Sequence, residues 1–472
     1  MRTGPMLIAL LAAAPAAHGQ PLAVPGAAVR YDGHRLVRVT VRDSRELMTA
    51  LSLTDDVWTC GGVGLGSWEA RFSPEQYESL RLTGIAHAVI TPDLQPALDA
   101  ENARLRGAGA PDGPWFADFK TLAQISDYVD TLVALRPDLA SRTTIGTSVQ
   151  GRPIFALRIS NDAVNPGRCK PAIIFNSTQH AREWIAPMVN MYAADRLVRD
   201  YGSDPAVTDL VDRVRFYIVS VTNPDGYQYS WDVNRYWRKN MRPPPAGSTC
   251  VGVDTNRNWS FQWGGVGAST SPCSETYRGA GPFSEPEPLA LANFASSMPE
   301  LRAHVDIHSY GQLLLHPWAF TPTPSPGHAV FQTVGQQMRQ LILAVHNRPY
   351  TPGIWYSALY PSSGTATDWF YGAAAVPSFT FELRGPDFVL PPTEIVPNSE
   401  EIFPALLHYA QWTADLHPFR ADMNNDCLYT VGDFGAFTNA FVTADPRADF
   451  TNDGQFTVAD FGAFQGQWVL RR

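Results

Sequence analysis

The sequence predicts an α/β protein whose principal sheet is covered by helices on both faces. Three observations carry that prediction. Apolar runs of strand length at residues 170–177, 214–219, 303–307 and 378–381 alternate with stretches of helical apolar spacing such as 119–135. The runs are strongly apolar, as strands enclosed on both sides must be. With 472 residues, 44% of them hydrophobic and 17% charged, the chain is long enough for two to four domains and too apolar for extensive disorder. The largest block spans about 115–418, and its functional side chains are expected at strand ends and loops on one edge of the sheet.

Around this block the chain divides further. Residues 1–19 read as a signal peptide, because Arg2 precedes an apolar stretch at 6–14 and small residues near Ala17 and Gly19 suit cleavage. The apolar core is too short to span a bilayer, so export without a membrane span is the expectation. Residues 29–105 form a small α+β unit, with strand patterns at 34–41 and 86–90 and helical patterns beginning at 43 and 74. Residues 102–114 are rich in Gly, Ala, Arg and Pro and read as an exposed linker open to proteases. A net charge of −9 without a basic run argues against a nucleic-acid partner. Five cysteines leave at least one unpaired within a monomer, and none has the Cys-x-x-Cys spacing of a zinc site.

The tail, residues 419–472, contains a repeat in which the pattern starting at Asp422 returns 27 residues later at Asp449. Oxygen-bearing side chains occupy loop positions 1, 3, 5, 9 and 12 in both copies. They are Asp422, Asn424, Asp426, Thr430 and Asp433, then Asp449, Thr451, Asp453, Thr457 and Asp460. A hard cation such as Ca²⁺ takes such a set, and a helix follows each loop. Asp rather than Glu at position 12 weakens bidentate capping, and Cys427 stands where the turn prefers Gly.

The chemistry centres on His180-Ala-Arg-Glu183, which follows the buried run 170–177. An imidazole and a carboxylate three residues apart can reach one metal ion from a single loop or helical turn. Hydrolytic zinc requires a third such ligand and an open position for water. His308, in Val305-Asp-Ile-His308-Ser-Tyr310, is the candidate, with His304, His316 and His408 as competitors. A general base is also needed, and Glu382 ends a very apolar strand where an unpaired carboxylate is costly unless it faces a cavity. The alternative for Glu382 is an ion pair with Arg384.

Six motifs occur in a fixed order: His180-x-x-Glu183, Asn223-Pro-Asp-Gly-Tyr227, Arg235-Tyr-Trp-Arg238, Cys250 to Trp259, His308-Ser-Tyr310 and Phe379-Thr-Phe-Glu382. Together they resemble the zinc metallocarboxypeptidases of the carboxypeptidase A/B type, over residues from about 30 to 418. The resemblance implies a mixed central sheet with helices on both faces. It implies Zn²⁺ on His180, Glu183 and His308, Glu382 as base, and Arg238 stabilising the developing oxyanion. It further implies that Asn256 and Arg257 grip a terminal carboxylate, that Arg182 and Tyr310 lie on the substrate side, and that Tyr360 closes over the substrate. Cys250 and Cys273 match a disulfide pair. Residues 20–106 resemble an activation segment, with Arg104 and Arg106 in the linker where cleavage would release it, and 107–418 the catalytic domain. Residues 419–472 resemble a dockerin-type module that binds a partner protein or anchors the enzyme to a surface.

Thr367 stands where relatives that remove basic residues carry an acidic one, just before Asp368-Trp369. A pocket without that charge, lined also by Trp355 and Thr380, favours neutral, apolar or aromatic C-terminal residues. The run Arg384 to Leu390 looks like a shortened loop at the pocket rim. Two other readings are a zinc amidase or deacylase and a binding protein without catalysis. Arg257 beside Asn256 argues against the first, and the intact ligands, base and arginine argue against the second.

Overall fold

The computed structural model describes residues 28–469 apart from 55, 59–64, 108–113, 164–169, 417–420, 425, 427–429 and 452, with the side chains of 106, 107, 416, 467 and 469 also left out. The stretch 1–19 that reads as a signal peptide, the start of the 20–106 segment, and Cys60, Cys169 and Cys427 lie outside the described residues.

The N-terminal unit is a four-stranded sheet of β1 (Arg35–Val41), β2 (Asp56–Val57), β3 (Gly66–Phe72) and β4 (Ala86–Thr91), in the order β2-β3-β1-β4. Val37, Val39, Trp68, Ala70 and Phe72 put alternate side chains against helices Ser44–Leu51 and Pro74–Thr83. The second helix starts with a full capping box on Ser73 and Gln76, worth about 1 kcal/mol over an uncapped start. The other side of the unit meets the large domain. There Tyr31, Leu36, Trp58, Leu94 and Leu98 share one buried cluster with Tyr236, Tyr310 and Phe388.

Helix Gln95–Gly107 runs further than the sequence suggests, so residues 102–107 are helical rather than linker. Arg104 sits in that helix, partly buried, with its guanidinium on Asp118. Its long stem and ion pair compete with the Gly- and Pro-rich composition that made the stretch look open.

The large domain holds eight strands: β5 (Ala140–Thr147), β6 (Pro153–Ile159), β7 (Ala172–Ser177), β8 (Arg215–Val219), β9 (Leu301–Ser309), β10 (Leu313–His316), β11 (Thr351–Ile354) and β12 (Ser378–Leu383). Their order is β11-β10-β12-β9-β7-β8-β6-β5. The central four, β12-β9-β7-β8, are parallel, while β6 and β10 pair antiparallel with β8 and β12, so the sheet is mixed.

Side-chain alternation assigns the two faces. Val305 and Ile307 of β9, with Phe379, Phe381 and Leu383 of β12, join the cluster under helices Ile185–Arg199, His328–His346 and Ile395–Leu416. Each buries fully, for about 2 kcal/mol apiece relative to exposure. The residues between them point to the other face: His304, Asp306 and His308 on β9, Thr380 and Glu382 on β12. On that face helices Pro286–Ser296 and Ala366–Gly372 cover only part of the sheet, leaving its C-terminal edge for the site.

Cys250 and Cys273 are disulfide-bonded, as the motif implies. Closing their 23-residue separation removes unfolded-chain entropy worth about 3 kcal/mol and ties down the loop bearing Asp254. In the C-terminal module, helices Val431–Val442 and Val458–Val469 close over a core that includes Phe437, Phe450 and Phe464. Among the described residues no helix is long and apolar enough to cross a membrane.

Candidate active site

β7 ends at Ser177, and Thr178 turns the chain with a positive φ of 62°. The hydroxyls of Ser177 and Thr178 both donate to the Ser220 carbonyl, and Ala181 N–H donates to the Arg238 carbonyl, which fixes the loop before helix Ile185–Arg199. His180 and Glu183 project from this loop, and His308 comes from the end of β9 alongside. Register makes the meeting inevitable, since β7 and β9 run parallel with Ser177 opposite Ile307.

Three buried groups converge. His180 Nδ1 lies 2.8 Å from Glu183 Oε1 and 3.0 Å from His308 Nδ1, which is 3.0 Å from Glu183 Oε2. The second nitrogen of each ring is held by a carboxylate: His180 Nε2 by Asp254 at 3.2 Å and His308 Nε2 by Asp306 at 2.8 Å. Both Nδ1 atoms face the space shared with the Glu183 carboxylate. Two imidazole nitrogens and a carboxylate in a tight buried cluster fit a Zn²⁺ ion. The charges respond accordingly. Burial raises the Glu183 carboxyl, but His180 and His308 hold it well below the usual range. Burial lowers the His308 imidazole, but Asp306 and Glu183 carry it well above its ordinary value.

The competing histidines are engaged elsewhere. His304 contacts Asn176 and Ser378, His316 the Pro317 carbonyl and Gln332, and His408 Gln337.

Glu382 lies directly opposite His308 in the β12–β9 ladder and lines the cleft. Arg384 is committed to Glu394 and Glu401, so the ion-pair alternative for Glu382 fails. Burial, partly offset by His308, pushes the Glu382 carboxyl up to about 8. Arg238 enters from the opposite wall, its Nη2 donating to Asp254 at 2.9 Å.

Deeper in, Arg257 donates from Nε to Gly267 and from Nη1 to Asn256, while its buried Nη2 has no partner among the described residues. A buried guanidinium donor left free is costly unless an anion arrives to take it. The Tyr360 ring centre stands 5.7 Å from the Arg257 guanidinium carbon. Asn256 accepts from Ala366 N–H and directs Nδ2 toward His308. Thr367 meets Thr380 hydroxyl to hydroxyl at 2.5 Å. Asp368 faces the other way, accepting from Ala319 N–H. Trp355 packs with Leu315, Ala319 and Leu359 beside them.

Arg182 is occupied from outside the domain. Its Nη1 lies 2.7 Å from Asp56 of the N-terminal unit, which also receives Arg71 at 2.8 Å. Val57 and Trp58 follow and line the same cleft as His180, Glu183 and Glu382. Phe388, from the loop after Glu382, lies under the Arg182 guanidinium at 4.2 Å and edge-on to Trp58 and Tyr310. The short 384–390 loop therefore builds a cleft wall. Sequence reasoning passed over Asp56, Asp254, Asp306 and Phe388. Asp254 and Asp306 stood inside quoted motifs; an acidic residue in an apolar strand was the signal at Asp306, whereas Asp254 caps the short helix Thr255–Arg257. Asp56 had none, because a lone Asp in a two-residue strand looks like any surface charge.

In the tail, Asp422, Asp426 and Asp433 bring carboxylates together, and Asn424 donates to Asp426 at 2.8 Å. The position-12 residues also bind backbone: Asp433 accepts from Met423 and Thr430 N–H, Asp460 from Thr451 and Thr457 N–H. Asp449 accepts from Asp453 N–H at 3.2 Å.

A mixed α/β sheet with a metal-binding triad, a buried carboxylate and an anion-seeking arginine at its strand ends defines a metal-dependent hydrolase. Comparison with known proteins makes the class specific. The family model of the zinc carboxypeptidases matches residues 125–405. Rat (Rattus norvegicus) carboxypeptidase A1 is 34% identical over 406 residues, covering 82% of this chain and 96% of the rat protein. Human (Homo sapiens) carboxypeptidase A1 is 33% identical over 407 residues, with the same coverage of 82% and 96%. Among solved structures, carboxypeptidase A from Helicoverpa armigera superposes with a TM-score of 0.74 at 27% identity, covering 82% of this chain and 98% of that one. Thrombin activatable fibrinolysis inhibitor superposes with a TM-score of 0.73 at 28% identity, covering 82% and 100%. This chain belongs to the zinc carboxypeptidase family. It is a metallocarboxypeptidase, a zinc-dependent hydrolase of peptides.

The Asp56 contact has a defined pH dependence. Burial opposes ionisation of Asp56, but Arg182 and Arg71 hold its carboxyl down to about 2. Its contribution to docking is therefore complete above the ordinary carboxylate value of 3.8 and is lost as pH falls toward 2. Protection factors for hydrogen exchange in the N-terminal unit are expected to stay constant from pH 8 to about 5 and to fall only below about 4. Asp56→Asn should remove that acid transition.

Proposed function

We propose that the chain is an exported zymogen that, once cut, removes neutral C-terminal residues from peptides and proteins. Residues 1–19 act as the signal, 20–106 as the activation segment, 107–418 as the catalytic domain and 419–472 as a dockerin-type calcium module. What carries this reading is the combination of the His180–Glu183–His308 triad, Glu382 in the same cleft as His180 and Glu183, and the buried, unpartnered Nη2 of Arg257, which meets the cleft-lining Tyr360.

His180, Glu183 and His308 would hold the zinc. Bound there, zinc acts as a Lewis acid that makes water a competent nucleophile at neutral pH. Glu382, buried in the cleft beside His180 and Glu183, takes a proton from the attacking water and delivers it to the departing amine. Arg238, fixed by Asp254, presents its guanidinium to the carbonyl oxygen as negative charge grows there. Arg257 and Asn256 grip the terminal carboxylate, and this demand for a free C-terminus makes the enzyme an exopeptidase. Tyr360 closes over the residue to be released, and Tyr310 and Arg182 contact the residues before the scissile bond. The paired hydroxyls of Thr367 and Thr380 leave the side-chain pocket uncharged, which suits apolar or aromatic residues.

In the uncut chain Asp56 neutralises Arg182 while Val57 and Trp58 fill the substrate side of the cleft. Arg104 is tied to Asp118, so cutting falls after it, toward Arg106 and residue 113.

Three measurements test this. Blocked dipeptides ending in Phe, Leu, Lys, Arg or Glu are offered before and after limited trypsin treatment. Release of Phe or Leu is expected only after cleavage and only from free carboxylates. Glu382→Gln should lower kcat by about 10²–10⁴-fold with little change in KM. Preference for Lys or Arg would refute the neutral pocket, and equal turnover of amidated substrates would refute the role of Arg257. For the tail, saturating Ca²⁺ should raise the melting temperature of the C-terminal module and Asp422→Ala should abolish that rise. An unchanged transition with Ca²⁺ rejects the calcium reading.

A further inference from the structure

Asp306 is a buried carboxylate that the reaction as described leaves without a task. It is fully enclosed, one pleat before His308 on β9 and on the same face. In the sheet it stands between Asn176 of β7 and Thr380 of β12. Among the described residues no arginine or lysine forms an ion pair with it, and a buried carboxylate without a cation costs several kcal/mol. Its surroundings nevertheless hold it firmly. Asn176 Nδ2 donates to Oδ1 at 2.7 Å and Gln179 Nε2 donates to Oδ2 at 2.5 Å. The amide of Gln179 is oriented by Trp259 Nε1, which only donates and takes the Gln179 oxygen at 3.0 Å. Three side chains thus spend their hydrogen bonds fixing one carboxylate, whose remaining contact is His308 Nε2 at 2.8 Å.

We propose that Asp306 is a positioning residue for His308, forming a second carboxylate–histidine pair that matches Asp254–His180 and tightens the grip on zinc. A competing donor makes the contact necessary. Asn256 Nδ2 approaches His308 Nε2 at 3.5 Å, and a donor there favours a lone pair on Nε2, the wrong tautomer for a ligand binding through Nδ1. Asp306 is closer and charged, so it keeps the hydrogen on Nε2, orients the ring and makes Nδ1 more electron-rich. The inference rests on the reading of His308 as a zinc ligand.

The test uses the full chain stripped of metal, with Zn²⁺ affinity measured by competition against a chromophoric chelator. Asp306→Asn and Asp306→Ser should bind Zn²⁺ about 10–100-fold more weakly than the parent. Their metal-free melting temperatures should stay close to the parent's. With Co²⁺ in place of Zn²⁺, the visible absorption bands should shift in both variants, a change that loose packing elsewhere does not produce. Zinc affinity within threefold of the parent overturns the proposal. Loss of the metal-free fold in both variants also overturns it, because the carboxylate then serves the fold. If the parent itself fails to bind Zn²⁺, the ligand assignment falls along with the proposal.

Discussion

Everything in this molecule depends on holding three metal-seeking groups together in a dry pocket without a covalent frame. His180, Glu183 and His308 lie within hydrogen-bond distance of one another at the ends of two parallel strands. Two lone pairs and a carboxylate facing one another repel, and only a cation or protons settle that repulsion. The rest of the large domain answers this demand. Parallel pairing of β7 with β9 delivers the ligands to one edge, and Asp254 and Asp306 brace them from behind. The apolar face of the sheet supplies the stability from which this polar face is held.

The same edge explains how the two larger units relate. The cleft is lined by Arg182, Tyr310 and Phe388, a mixture of charge and aromatic rings. Asp56 and Trp58 match it, one by charge and one by shape. Because Asp56 is shared between Arg71 of its own unit and Arg182 of the other, the docked state is bound by charge that both units must surrender to separate. Arg235 adds a second tie, reaching Glu101 on one side and the Phe388 carbonyl on the other.

Much of the site was legible because its chemistry is written in short runs. The His-x-x-Glu spacing, the strand ending in His308 and the strand ending in Glu382 each break an apolar pattern with a polar residue that burial would punish. Strands β1, β4 and β7–β9 were legible as alternating or continuous apolar runs of strand length. The two-residue β2 was not, since a strand that short exists only through its partner β3. β10 and β11 were missed because their strand state comes from pairing with β12 and with each other. The helical stretch at 102–107 was read as linker because composition says nothing of the Arg104–Asp118 contact.

The sequence by itself determined the family, the types of side chain gathered at the site, the carboxylate at Glu382 and the absence of charge at Thr367, because residue identity carries the chemistry of donors and acceptors. Only tertiary structure decided which histidine joins His180 and Glu183, since His304 and His308 share a strand face and differ by two pleats. It alone decided that Arg384 turns from Glu382 to Glu394 and Glu401, and that Arg182 meets Asp56 across 126 residues of chain. Contacts between residues far apart in sequence depend on register, crossover and burial, and these are properties of the folded sheet.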